Sequence, residues 1–281
     1  MRIKIFKNII FIIMVLSLIC SCNGYKKLMK SSDYEKKYEK GLMYYERGEN
    51  TRNRKQAGKD YSRAQSIFEE LRTIFRGTEK AENVAYYYAK STFEVDEYTL
   101  ASYLFKDFVR QFPLSSRKEV ALFYSAYCYY LLSPEIALDQ SDTEIAIQEL
   151  QYYIEKYPKS DKRAEVEKYI DELQNKLEQK AFNNAMLYFT ISDYKAAIVA
   201  LKNVTIDFPD TKHREEILFT IVKSSFLLAE NSISSKQKER YKNTIDSYYI
   251  FIDNYPNSKK IKEAEKYYNN SLKFLESKNG L

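Results

Sequence analysis

The stretch NNAMLYFTISDYKAAIVALKNVTIDFPDT, residues 183–211, decides the fold. It reads as two amphipathic helical segments joined by a short polar break at Ser192-Asp193 and stopped by Phe208-Pro209. Counting back from Phe208, Val204, Leu201, Ala197 and Tyr194 stand four, seven, eleven and fourteen residues earlier, a spacing that puts them on one helical face.

The same register recurs along the chain. Four of the five prolines follow an aromatic residue and precede a hydroxyl residue by two: Phe112-Pro113 with Ser115, Tyr157-Pro158 with Ser160, Phe208-Pro209 with Thr211, and Tyr255-Pro256 with Ser258. A fifth copy, Phe75-Arg76-Gly77-Thr78, lacks the proline. Seven before each aromatic are Phe68, Phe105, Leu150, Leu201 and Tyr248; eleven before are Ala64, Ala101, Ala146, Ala197 and Thr244. Small residues at a fixed offset let a neighbouring helix approach closely. The aromatic-proline pair ends the helix because the residue before proline is pushed out of the helical region. Asp60, Asp142 and Asp193 are expected to cap its start, and the hydroxyl after each stop to cap the next helix, which carries an early Glu at 82, 119, 165, 215 or 263.

That next helix repeats as well, with Gly41, Ala89, Ala126 or Ala185 at its crossing point. The unit is helix, turn, helix, stop, and its spacing resembles the tetratricopeptide repeat. The expected fold is all-α, a right-handed α-solenoid of five tetratricopeptide-like helix pairs plus a C-terminal capping helix from Ser258 to about Ser277. Successive stops lie 37, 45, 51 and 47 residues apart, so the longer periods carry insertions. One falls at SPEIALDQ, residues 133–140, and reads as a loop. Another, of 14 residues between Ser160 and Ala185, has no Gly or Pro; it adds close to four helical turns and predicts one helix from about Asp161 to Thr190. The polar, basic GENTRNRKQAGK, residues 48–59, reads as a mobile loop.

The amino terminus is a different kind of sequence. Arg2, Lys4 and Lys7 precede an apolar run from Ile9 to Ile19, a secretory signal too short for a spanning helix. Ile19, Cys20 and Ser21 before Cys22 resemble a bacterial lipobox, which makes Cys22 the lipidated first residue of the mature chain and Cys20 part of the discarded signal. Only Cys128 then remains as a thiol, so no internal disulfide is expected. The expected organisation is a signal over 1–21, a lipid-anchored linker over 22–32, N-terminal repeats over 33–112 and C-terminal repeats with the cap over 113–281.

The sequence carries little catalytic chemistry. It has one histidine, His213, and six dispersed glycines that form no phosphate-cradling loop. Without its signal the chain has 42 basic and 39 acidic residues, a balance of +3 that argues against a nucleic-acid protein. No cofactor, metal or catalytic residue is expected; a helical-repeat array binds. Helical phase places Tyr38, Leu42 and Tyr45 on one helix and Tyr86, Lys90 and Phe93 on the next along a candidate groove, where aromatic rings beside a basic residue suit an extended peptide with aromatic side chains and a terminal carboxylate. The competing reading is that these rings fill the core between repeats. We take Tyr38, Tyr45, Tyr86, Lys90 and Phe93 as the peptide-binding candidates.

The lipobox, SSDYEKKYEKGLMYYERGE (31–49), DQSDTEIAIQELQYYIEKYPKSDKRAE (139–165) and the opening stretch together resemble the BamD family, lipoproteins of the outer-membrane β-barrel assembly machinery, over nearly the whole mature chain. The departures are the basic insert, Arg76 in place of proline, and a diverged fifth repeat at 224–244. The resemblance implies a lipid-anchored adaptor on the periplasmic face of the outer membrane. It implies C-terminal repeats that contact BamA, the barrel-forming partner, through its POTRA domains, alongside other assembly lipoproteins. It also implies N-terminal repeats that recognise the C-terminal aromatic signal of unfolded barrel substrates. The alternatives from other classes are a repeat lipoprotein that binds glycans or nutrients and a scaffold for cell-wall enzymes.

Overall fold

The computed structural model describes residues 24–279, with side chains to 277; the signal and the lipidation site at Cys22 lie outside them. Among the described residues there are twelve helices and no strand. A short α1 covers residues 24–29. Five pairs follow: α2 (Tyr34–Asn50) with α3 (Arg54–Ile74), α4 (Ala81–Glu94) with α5 (Tyr98–Gln111), α6 (Lys118–Leu132) with α7 (Ser141–Lys156), α8 (Arg163–Thr190) with α9 (Tyr194–Asp207), and α10 (Arg214–Glu230) with α11 (Ser234–Asn254). The last helix is α12 (Ile261–Asn279). The chain divides into two compact units: one holds the described residues up to Ser133 with Ser141–Ile170, the other Pro134–Gln140 with the described residues from Asp171 onward. The third pair thus packs with the first two, whereas grouping by sequence separates them after Phe112. The ring of Tyr124 on α6 accounts for this, stacking on Phe105 at 5.3 Å and meeting Phe93 edge-on at 4.9 Å.

Every stop is built the same way. The amides of Phe75, Phe112, Tyr157, Phe208 and Tyr255 each close the preceding helix with a 2.9 Å bond to the carbonyl four residues back. Their own carbonyls then accept from Thr78, Ser115, Ser160, Thr211 and Ser258 at 3.0–3.1 Å. In the first copy Arg76 takes the proline position and the next residue, Gly77, adopts φ +79°, a left-handed conformation that the other four turns do not use. The turn hydroxyls do not cap the next helices as expected: the N-caps are Lys80, Arg117 and His213, none with a side-chain cap bond, and the hydroxyls brace the turn ahead of them. Ser115, Ser160, Thr211 and Ser258 each accept from the amide two residues on, at 3.0–3.2 Å. Three of them also donate to a carboxylate on the preceding repeat: Ser115 to Glu82 at 2.7 Å, Thr211 to Glu178 at 2.7 Å and Ser258 to Glu215 at 2.5 Å. At the remaining interface Tyr153 relays the contact, its hydroxyl 2.7 Å from Ser160 and 3.3 Å from Glu119.

The packing register follows the sequence. Ala64, Ala101, Ala146, Ala197 and Thr244 are fully buried, as are Phe68, Phe105, Leu150 and Leu201. Helix α8 runs 28 residues without a break, about 42 Å long. The SPEIALDQ segment is a loop, and α8 holds it: Lys176 donates to the carbonyl of Pro134 at 3.1 Å, and Lys180 to those of Ile136 and Leu138. Cys128 is buried on α6, and burial pushes its thiol up to about 12.

Three further local expectations are corrected. Residues 54–59 of the basic insert are helical, because Asn53 caps α3 by accepting from the Gln56 amide at 3.1 Å. Asp60 is consequently inside the helix rather than at its start. It is fully buried and accepts from Arg47 at 2.7 Å and Gln56 at 3.0 Å. Burial alone would raise the Asp60 carboxyl, but those hydrogen bonds outweigh it and hold its pKa below the usual carboxylate range. Of the three aspartates, Asp193 caps as expected, accepting from Ala196, while Asp142 falls in the first turn of α7. Glu165 stands in the first turn of α8 as expected, but the carboxylate that bridges repeats there is Glu178, which precedes Ala185 by seven, as Glu82 precedes Ala89 and Glu119 precedes Ala126.

Two glycines of the first pair have opposite surroundings. A Cβ on Gly48 would lie 2.7 Å from the ring of buried Tyr61, whereas one on Gly58 would meet nothing within 4 Å. Gly48→Ala is expected to destabilise the chain by about 1–3 kcal/mol through overpacking. Gly58→Ala is expected to stabilise it by about 0.5–1 kcal/mol through helix propensity. Urea denaturation of both variants checks the pair.

Candidate functional site

The predicted residues lie on adjoining faces of α2 and α4 in the first unit. Tyr38, Tyr86 and Phe93 are half-buried, and Tyr45 and Lys90 are buried, at 3% and 7% exposure. The Tyr45 ring meets Tyr61 at 5.5 Å and Tyr87 at 5.0 Å, both edge-on, so it packs between repeats. Burial, with Glu49 and Glu94 nearby, raises its phenol well above the ordinary value. Tyr38 meets Phe75 edge-on at 6.0 Å, and its hydroxyl accepts from Asn83 of α4 at 3.1 Å. Tyr86 packs on Tyr87 and Phe108, and Phe93 on Tyr124 and Tyr98.

Lys90 is a buried cation on this face. Its ammonium sits 3.9 Å from the Tyr124 ring centroid and 5.3 Å from that of Phe93, and it pairs with Glu94 at 3.1 Å. Burial by itself would lower the Lys90 pKa, but the contacts with Tyr124 and Glu94 outweigh it and hold the group above the ordinary lysine value. The face therefore holds the Lys90–Glu94 pair beside aromatic rings that stay partly exposed at Tyr38, Tyr86 and Phe93. Such a surface can pack apolar or aromatic side chains and attract a carboxylate.

Sequence reasoning missed a second set of basic side chains. Two residues beyond each turn hydroxyl stand Lys80, Arg117, Lys162, His213 and Lys260. Each lies over a ring of the preceding repeat. Lys80 is 5.1 Å from Tyr38, Arg117 4.7 Å from Tyr86, Lys162 5.1 Å from Phe123 and Lys260 5.1 Å from Phe219; His213 stacks on Phe182 at 4.2 Å. Hydrogen bonds accompany several of them: Arg117 donates to Asn83 at 2.6 Å, His213 meets Gln179 at 2.9 Å, and Lys80 and Lys260 pair with Glu35 and Glu216. A fixed offset from the turn hydroxyl was the available signal. His213 thus joins two repeats. No group of His, Cys, Asp and Glu able to hold a metal ion occurs among the described residues.

Comparison with known proteins adds a family. Residues 43–241 match the sequence profile of a family described as YfiO, outer membrane lipoprotein. A relative from Aquifex aeolicus (strain VF5), named putative outer membrane protein assembly factor BamD, is 24% identical over 97% of this chain and 84% of its own length. Another from Rickettsia prowazekii (strain Madrid E), named outer membrane protein assembly factor BamD, is 24% identical over 72% of this chain and 76% of its own. Among solved structures, the TPR2AB domain of yeast Sti1 in its pHSP90 complex aligns over 85% of this chain and 98% of its own, at 15% identity and a TM-score of 0.37, too loosely to bear on function.

Lys90→Met is expected to destabilise the fold by about 1–3 kcal/mol near neutral pH by leaving Glu94 and Tyr124 without the charge. Because the folded pKa is raised, the stabilisation is complete below the unfolded lysine value of about 10.4 and is lost as pH climbs through the folded one. The gap between wild type and variant should be constant from neutral pH to about 10 and close above it, as read by urea denaturation at each pH.

Proposed function

We infer the function from one premise: the chain belongs to the YfiO family of outer membrane lipoproteins. It is an outer-membrane protein assembly factor of the BamD type, acylated at Cys22 and held on the periplasmic face of the outer membrane as an adaptor. The carrying observation is the family match over residues 43–241, joined by relatives of that name aligned over most of the chain. The second unit offers a surface for a BamA-like barrel protein and its POTRA domains, since Val199, Ile206 and Ile250 expose large apolar side chains there. Other assembly lipoproteins join the same complex. The α2–α4 face receives the C-terminal segment of unfolded β-barrel substrates: Tyr38, Tyr86 and Phe93 present ring edges to its aromatic side chains, while Tyr45 and Lys90 support them from beneath.

An acyl chain supplies the membrane hold, and no described helix is long and apolar enough to cross a bilayer. Cys22→Ser is expected to move the protein from the membrane fraction to the soluble fraction, and affinity capture of the acylated chain should recover a BamA-like barrel protein. Retention of the serine variant on membranes refutes the anchor; capture without any barrel protein refutes the adaptor role. For the peptide face, Tyr86→Leu combined with Phe93→Leu keeps apolar bulk and should weaken binding of a substrate C-terminal peptide about tenfold or more, measured by fluorescence anisotropy. An unchanged affinity removes these residues from the site.

A further inference from the structure

The segment between the anchor and the first repeat is not a free leash. Residues 24–29 form α1, and α1 is fastened to the first helix pair. Leu28 is buried, and the Tyr25 ring meets Tyr44 edge-on at 5.9 Å. Arg63 of α3 lies 5.4 Å from both of those rings. Lys37, almost wholly buried, donates to the Met29 carbonyl at 2.9 Å and to Glu70 at 2.6 Å, tying the end of α1 to α2 and α3 together.

Beside α1 is a concavity of about 440 Å³ lined by Tyr25, Lys27, Ser31, Lys36, Lys40 and Tyr44, among other residues, none of them acidic. Lys27 and Lys36 are exposed, and the Lys40 ammonium makes a weak hydrogen bond to the Met43 sulfur at 3.5 Å. Two nearby carboxylates are engaged elsewhere: Asp33 caps α2 through the Lys36 amide, and Glu35 pairs with Lys80. Three lysines and three hydroxyl-bearing residues thus line one opening. Such a set matches the oxygens of a phosphate, which carries negative charge and accepts several hydrogen bonds.

We propose that this concavity binds the phosphate of an anionic phospholipid headgroup, so that the first repeat rests on the membrane surface instead of swinging from it. The source of the phosphate follows from covalent reach. Cys22 is two residues from Gly24, so their Cα atoms are at most about 7 Å apart. Gly24 lines the concavity, so with Cys22 acylated the rim of the concavity lies within about the 8 Å over which charges interact at physiological ionic strength. This placement rests on the anchor reading above; the chemistry of the pocket does not.

The test uses the full mature chain with Cys22→Ser, so that no acyl chain contributes, and co-sedimentation with vesicles of phosphatidylcholine alone or with about one-third phosphatidylglycerol. Binding should require the anionic lipid and weaken as salt is added. Lys27→Gln, Lys36→Gln and Lys40→Gln together should weaken it about a hundredfold, taking each lysine near the surface as about fivefold. The triple variant Lys195→Gln, Lys202→Gln and Lys242→Gln, equal in charge and remote in sequence, should bind like the parent; circular dichroism confirms that both variants fold. Equal binding to both vesicle types, or equal loss in the two triple variants, overturns the proposal. Inorganic phosphate at constant ionic strength is the second probe: if it binds at the three lysines while the vesicles do not, the lipid assignment is overturned in favour of a free anion. Acylation itself is read separately, from membrane fractionation of the Cys22→Ser chain, so failure of either reading can be told from failure of the other.

Discussion

Each turn between repeats must end one helix, begin another and hold on to its predecessor, and a single hydroxyl does most of this. Ser115, Thr211 and Ser258 accept from the amide just ahead of the next helix and donate to a carboxylate on the repeat before. Two residues on, a cation or imidazole lies across a ring of that same earlier repeat. Hydrophobic burial is non-directional and would tolerate helix pairs sliding against one another. Directional bonds at a fixed offset remove that freedom, and shallow turns with few glycines then suffice to set the register. The small residues at the crossing points complete the constraint by letting the backbones approach.

The repeat could be read from sequence because its signals are local and periodic. Proline stops, alanines eleven residues before them and the stripe at four and seven depend on helical geometry alone. What stayed hidden depended on partners distant in sequence. Asp60 looks like a cap until Arg47, on the preceding helix, is seen to neutralise it inside α3. Residues 54–59 look like loop because their charge and glycine outweigh the single cap at Asn53. Glu178 could have been found by counting back seven from Ala185, but the early glutamate of the long helix, Glu165, draws attention first. Residues 24–29 are too few to announce a helix, and only Lys37 and Arg63 show that they are docked.

The aromatic face illustrates how core and surface share residues in a repeat protein. The phase that brings Tyr38 and Tyr86 toward a groove also brings them against the neighbouring repeat, so sequence periodicity cannot separate the two duties. In the structure the duties divide by depth. Tyr45 is enclosed by rings, Lys90 is locked by Glu94 and Tyr124, and only Tyr38, Tyr86 and Phe93 keep part of their surface in solvent. A face built this way is a stiff aromatic platform whose side chains have little conformational entropy left to lose.

Cys128 has a consequence of a different kind. Its thiol is buried on α6 and held protonated by that burial, so a reagent in solution can reach the thiolate only when the helix lifts from its neighbours. The rate of its alkylation is therefore a clock for the opening of the first unit, set by the free energy of that local excursion and not by the chemistry of the sulfur.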